Sequence, residues 1–306
     1  MKEYHKNNTR ILNNHVRNYM VILYFIEVIA MDKKRYSYSK LTTFRQCEFQ
    51  YLSSYELRQE SDENIYGLAG TTVHNIIEDI QERKITNEEG LMRFDEEMEM
   101  HEILGYTFTS EKTKNNFMES IRHFIKYFKP IDKGKVEVEK DFVADFDGHE
   151  VIGFIDILIH NEDGTVSIVD LKTSSKYSKK AIEEHCNQLL IYAIAMEQQG
   201  FTVKDVSWNM MKYSMIPTKR GKKMVLRNEL TDEEFEEAYV YYPLSDESKN
   251  RCKEWVIETI EMIESKDVFD TWETNCDEPF FCTNLCSFCG KCSKGKELRD
   301  NYFRNR

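Results

Sequence analysis

The chain has 306 residues, with 42 Lys+Arg against 54 Asp+Glu, a net charge of −12. Hydrophobic residues at 41% and aromatics at 12% supply one large or two small cores and exclude a disordered chain. Only 4 Pro and 12 Gly exclude collagen-like or linker-rich designs, no apolar run approaches the ~18 residues of a membrane span, and the acidic balance excludes coating of nucleic acid by bulk charge while leaving room for a local basic groove.

Residues 19–30 form one apolar stretch, interrupted by Glu27 and too short to span a bilayer. Two readings stay open: an N-terminal extension forming a short surface element, or a natural start at Met31. Tyr36–Tyr55 is expected to hold a helix capped by Ser39, with Leu41, Phe44, Cys47 and Tyr51 at three- and four-residue steps. Gly67–Arg83 reads as a loop and then a helix, with Val73, Ile76, Ile77 and Ile80 on one face and His74 and Glu78 one turn apart on another. Residues 86–129 read as a helical insertion, mostly solvated, with a stripe of Phe117, Ile121, Phe124, Ile125 and Phe128.

The pattern then changes to strands. Lys135–Val143 alternates, Val151–His160 is apolar, Asn161–Gly164 is a turn and Thr165–Lys172 a further strand, so 151–172 should form a hairpin. Ala181–Gln199 is a strong helix ended by Gly200. Val203–Tyr213 is another strand, with Met224–Leu230 as its expected partner around the basic Lys219–Lys223. Thr231 opens a helix with an acidic first turn, and Arg251–Glu264 is a long amphipathic helix. No internal repeat or low-complexity linker interrupts the chain.

Eight cysteines need a separate account. Cys282, Cys286, Cys289 and Cys292 sit within eleven residues; the others are Cys47, Cys186, Cys252 and Cys276. A secreted disulfide protein spreads its cysteines more evenly. A tight cluster in a long acidic chain points to metal or iron–sulfur ligation in a reducing compartment, hence to a cytoplasmic protein.

The segment richest in chemistry is Gly153-Phe154-Ile155-Asp156, followed after thirteen residues by Asp170-Leu171-Lys172-Thr173. The hairpin can bring the two carboxylates together, and Lys172 projects on the same face as Asp170 because strand side chains alternate. Two carboxylates holding a hard divalent cation beside an ammonium group suit phosphodiester cleavage, since the cation acidifies a water and stabilises charge on the phosphate. Taken alone, Asp-x-Lys also fits an ordinary hairpin end, His74 a satisfied helix histidine, and Gln188 and Tyr192 a plain helix face.

In order along the chain, Tyr38-Ser39-Lys40-Leu41 with Cys47, Gly70-Thr71-Thr72-Val73-His74, Gly153 to Asp156, Asp170 to Thr173, Gln188 with Tyr192, and the C-terminal cysteines resemble the PD-(D/E)XK nucleases of the RecB/AddB type and the CRISPR-associated nucleases of that branch. The resemblance covers about residues 36 to 295. It implies an α/β fold of the restriction-endonuclease kind: a mixed sheet flanked by helices, with an iron–sulfur clasp joining the N- and C-terminal parts of a nuclease domain over 31–306. It implies His74, Asp156, Asp170 and the Leu171 carbonyl as ligands of Mg2+ or Mn2+, Lys172 as the catalytic lysine, and Gln188 and Tyr192 as residues that organise substrate and site.

In iron–sulfur members, one cysteine before the core and three after it hold a [4Fe–4S] cluster. Cys47, Cys286, Cys289 and Cys292 match best. The usual C-x2-C-x5-C spacing is broken here, because the x5 position after Cys289 is Gly295. Cys282 can therefore replace one ligand, or four local thiolates can hold Zn2+. Cys186, Cys252 and Cys276 read as simple buried or surface thiols.

Charge is segregated. Residues 56–103 carry 14 acidic and 4 basic residues, and 229–278 carry 17 and 4, whereas 172–180 has four lysines and 212–227 six Lys/Arg, neither with an acid. The basic stretches, Lys176 included, are the expected phosphate contacts, with Tyr177, Trp208 and Tyr213 as candidate stacking groups. The expected activity is that of a metal-dependent DNA nuclease, a single-strand-preferring exonuclease of recombination, repair or phage DNA metabolism, acting on DNA with free ends and with a helicase or recombination partner. The alternatives are a non-catalytic DNA-binding adaptor of a helicase–nuclease or integration complex, and a zinc-ribbon interaction module.

Overall fold

The computed structural model describes residues 34–174, 176–211, 214–218, 221–225, 229 and 239–304. The apolar stretch at 19–30, Met31, Tyr213 and the helix expected at Thr231 lie outside the described residues. A mixed sheet lies between two layers of helices. Its path is β1 (Arg35–Tyr36), β3 (His149–His160), β4 (Val166–Lys172), β5 (Val203–Met210) and β8 (Tyr239–Tyr242), with β2 (Lys135–Phe146) also paired to β3. Among the described residues, no helix is long and apolar enough to cross a membrane.

Strand β3 organises the sheet. It is antiparallel to β2 along most of its length and antiparallel to β4 through Ile157 opposite Val169, and its start is parallel to β1. The 151–172 hairpin therefore forms as expected. A longer hairpin precedes it, closed at Asp147 (φ 55°) and Gly148 (φ 88°), the two left-handed residues that a type I′ turn requires. Gly153 is needed because the Phe142 ring covers it: a Cβ there would stand 2.9 Å from the ring. Strands β4 and β5 are parallel and joined by α6 (Lys179–Gln198), capped by Ser178 and ended before Gly200 at φ 90°. Helix α6 lies over one face, with α1 (Tyr38–Gln46) and α7 (Asp246–Glu264) in the same core.

The other face is covered by α3 (Ile65–Gln81), α4 (Asn87–Ile103) and α5 (Glu111–Tyr127). Val73, Ile76, Ile77 and Ile80 of α3 are almost wholly buried, each stabilising the layer by about 1.5–3 kcal/mol. The helices at 86–129 are largely solvent-facing, and the expected stripe of Phe117, Ile121, Phe124, Ile125 and Phe128 is their buried side. Phe94, Met98, Phe117 and Ile121 bury against α3, while the dense acids occupy the outer faces.

Three local expectations are corrected. Ser37, not Ser39, caps α1 by accepting from the Lys40 N–H at 3.2 Å. Helix α1 stops at Gln46, and Cys47 is extended (φ −161°) before α2 (Glu48–Tyr51) and a π-turn at Leu52–Glu56. Met224 lies in β7 (Gly221–Val225), opposite Met215 of β6 (Ser214–Thr218) in a separate two-stranded sheet, rather than on β5. The C-terminal segment adds α8 (Pro279–Asn284) and α9 (Ser293–Arg304).

Candidate active site

The β3–β4 register carries the two carboxylates to the same place. With Ile157 opposite Val169, the next step along the hairpin sets Asp156 across from Asp170. There the ladder ends and side chain replaces backbone: Asp156 Oδ2 accepts the Leu171 N–H at 2.6 Å. Asp156 is 8% exposed and Asp170 fully buried. Burial, followed by the charge of Asp170, holds the Asp156 carboxyl well above the usual carboxylate range.

Asp170 and Lys172 share the strand face that α6 covers. Lys172 Nζ lies 2.7 Å from Asp170 Oδ2 as an ion pair, and among the described residues Asp170 Oδ1 has no hydrogen-bond partner. Burial works against the Lys172 ammonium, but the charge and contact of Asp170 outweigh it and hold its pKa above the ordinary value. A buried carboxylate with an orphaned Oδ1 is costly unless something positive meets it. The arrangement fits a divalent cation.

His74 enters from α3. Its Nδ1 is 3.8 Å from Asp156 Oδ2, too far for a hydrogen bond, and the backbone of Leu171 lies close enough to act on the ring. Burial lowers its pKa, which favours the neutral ring that metal ligation needs. His74, Asp156, Asp170 and Lys172 are thus gathered around the Asp170-Leu171-Lys172 end of strand β4. Among the described residues, no three His, Cys, Asp or Glu side chains are closed around a common point.

On α6, Gln188 Nε2 donates to the Tyr192 hydroxyl at 2.9 Å, so the predicted pair is in contact. Burial raises the Tyr192 phenol, and the charges of Asp170 and Asp156 add to the effect. Tyr38 stands in the same neighbourhood, its buried hydroxyl without a hydrogen-bond partner among the described residues. Lys176 lies half-buried between β4 and α6. Tyr177 stacks on His185 with ring centroids 4.9 Å apart and meets Trp208 edge-on at 5.3 Å. Trp208 is fully buried, so it is no stacking surface for a base.

Glu139 also faces this site's charges. It interrupts the β2–β3 ladder with φ 46°, and its charge acts on both Asp156 and Glu78. No local motif marks it, because the irregularity arises only when β2 pairs with β3.

At the opposite side of α1, the two ends of the fold are tied together around Cys47. Phe49 N donates to Glu273 O at 3.0 Å, and Glu48 Oε2 accepts from Lys266 Nζ at 2.5 Å and Glu273 N at 3.0 Å. Asp62 N donates to Ser287 O at 3.1 Å, and Asn64 Nδ2 to Leu285 O at 3.2 Å. Cys282, Cys289 and Cys292 are buried, with Cys286 and Cys47 half-buried beside them. Gly295 N donates to Cys292 Sγ and Gly295 O accepts from Cys289 Sγ, both at 3.4 Å. Cys252 and Cys186 are buried elsewhere, in the core beneath α6 and α7.

Comparison with known proteins adds the family. A family model described as the PD-(D/E)XK nuclease superfamily matches residues 35–293. A search of curated proteins finds no match. Among solved structures, the chain is similar to a protein from Eubacterium rectale provisionally called an exonuclease, at 14% identity and TM-score 0.42, covering 86% of this chain and 89% of that one. It is also similar to SSO0001, at 15% identity and TM-score 0.29, covering 81% and 96%.

Proposed function

Because this chain belongs to the PD-(D/E)XK nuclease superfamily, we propose that it is a metal-dependent deoxyribonuclease of the RecB/AddB-like branch. In this reading residues 31–306 form the nuclease domain, and the activity is a single-strand-preferring exonuclease that works from free DNA ends in recombination, repair or phage DNA metabolism, alongside a helicase or recombination partner in the cytoplasm. The observation that carries it is the fully buried Asp170 carboxylate, without a hydrogen-bond partner at Oδ1 among the described residues and 2.7 Å from the Lys172 ammonium, beside the largely buried Asp156.

Each residue has a task in that reading. Asp156, Asp170 and the neutral His74 ring would offer the oxygen and nitrogen donors for Mg2+ or Mn2+, with the Leu171 carbonyl as a further oxygen. Bound there, the cation supplies an acidified water and a Lewis acid for the phosphate. Lys172 holds a phosphate oxygen and orients the attacking water. Tyr192, held by Gln188, fixes the ammonium side of the site, and Lys176 binds the neighbouring phosphate. Low-dielectric surroundings strengthen all of these contacts.

The cysteines have the chemistry for a second inorganic group. Soft thiolates, a backbone N–H aimed at Cys292 Sγ and burial of Cys282, Cys289 and Cys292 suit a [4Fe–4S] cluster held by Cys47, Cys286, Cys289 and Cys292. Zn2+ on the local thiols, Cys282 among them, is the second reading, favoured by the close C-x3-C-x2-C-x2-C spacing.

The test is digestion of end-labelled single- and double-stranded DNA by the purified chain with Mg2+ or Mn2+. The proposal expects loss of mononucleotides or short products from single strands, abolished by EDTA. Binding of DNA with no cleavage under any cation would replace it with the adaptor reading.

A further inference from the structure

We infer that His185 is a substrate-binding residue: its ring is the outermost step of an aromatic ladder that starts beside Asp170, and a base of the bound DNA strand stacks on it. The inference deepens the nuclease reading and rests on it.

The ladder has three steps. Trp208 of β5 is the partner of Asp170 across the parallel β4–β5 pairing, so its side chain stands on the same sheet face as Asp170 and Lys172. It is fully buried, and the Tyr177 ring meets it edge-on with centroids 5.3 Å apart. Tyr177 in turn stacks on His185, with centroids 4.9 Å apart and planes 26° from parallel. Tyr177 and His185 are half-buried, as is Lys172, whose side chain is 26% exposed. The ladder therefore climbs from the core to the surface on the Lys172 side of the sheet.

Helix α6 places the ring in line with the site. His185 lies three residues before Gln188 and seven before Tyr192, intervals that keep one helix face, and those two side chains are in contact. The lysines nearby supply the matching charge. Lys176 is half-buried and Lys179 exposed, while Lys180 is matched by Glu184 at 3.1 Å. A strand whose phosphates meet Lys172 and Lys176 can lay a base against the ladder.

A packing role does not account for this histidine. A histidine kept for the core is buried and hydrogen-bonded. His185 is half-buried, and among the described residues its contact is the stack on Tyr177. Every base has a π-face, so such a platform holds a strand of any sequence.

The test measures binding by full chains that also carry Asp170→Asn, so that the DNA survives. Fluorescence anisotropy in Mn2+ compares an end-labelled single-stranded oligonucleotide with the same strand bearing abasic sites at both ends. His185→Ala, folded by circular dichroism, should weaken binding of the intact strand about tenfold, within the range of one base–aromatic stack, and leave the abasic strand unaffected. His185→Phe keeps a ring and should restore the affinity for the intact strand. Unchanged affinity of His185→Ala for the intact strand, or equal weakening on both strands, overturns the inference. So does a complete absence of DNA binding. The nuclease reading is tested separately, by cleavage of the intact strand with Asp170 in place, and survives either of the first two failures.

Discussion

The Asp156 side chain accepts the backbone N–H of Leu171 at 2.6 Å, so one oxygen of a proposed metal ligand also closes the β3–β4 ladder where backbone pairing stops. Structure and chemistry can be separated there. Asp156→Ala leaves a buried N–H without a partner and should destabilise the fold by about 1–3 kcal/mol as well as abolish cleavage. Asp156→Asn keeps an acceptor and should recover most of the stability without the activity. Urea denaturation beside a nuclease assay reads both; equal destabilisation by the two variants would contradict the dual role.

Lys172 is the positive partner of the buried Asp170 carboxylate. Lys172→Met should cost about 3 kcal/mol without divalent cation, because the remaining charge is buried and unpaired. Mn2+ should then raise the melting temperature of the variant more than that of the wild type, since the ion replaces the lost charge. Cleavage should fall roughly 10²–10⁴-fold. A variant whose melting temperature ignores Mn2+ would argue that Asp170 is no ligand.

Gly153 sits under the Phe142 ring, with no room for a Cβ at 2.9 Å. Gly153→Ala should destabilise by about 1–3 kcal/mol through overpacking. Phe142→Leu in the same chain should return part of that loss. If the double variant is no better than the sum of the singles, the clash is not the cause.

These contacts also mark what was legible beforehand. The β3–β4 hairpin could be read because two apolar β-branched runs flank Asn161–Gly164, and the same register dictates the meeting of Asp156 with Asp170. The β2–β3 hairpin is harder to read because its turn, Asp147–Gly148, sits among Asp145, His149 and Glu150, polar residues that hide both strand ends. The helices at 86–129 read as solvated because their acids outnumber their core residues, yet Phe94 and Met98 alone define a buried edge. Trp208 was read from its basic neighbourhood, whereas its place on central strand β5 buries it. Glu139 has no local signal; strand pairing brings it to its place.

Glu78 provides a pH signature. Burial, then the charge and contact of Glu139, push its pKa up to about 7 from an ordinary 4.5. The folded state thus holds this proton more tightly than the unfolded chain. Its contribution to stability is complete below about pH 4.5 and is lost as pH rises through 7. Without divalent cation, Glu78→Gln should therefore be more stable than the wild type at pH 8, by about 1 kcal/mol after solvent screening of a half-exposed pair, with no advantage at pH 4. Parallel stability profiles for the two chains would contradict the carboxylate pairing.

The most direct measurement is Mn2+-dependent digestion of end-labelled single-stranded DNA by wild-type chain and by Asp170→Asn, which preserves shape and removes only the charge. The wild type should degrade the substrate and the variant should be slower by at least about 100-fold, with an unchanged circular dichroism spectrum. A variant that cleaves within twofold of the wild type would contradict the assignment of catalysis to the Asp156, Asp170 and Lys172 site.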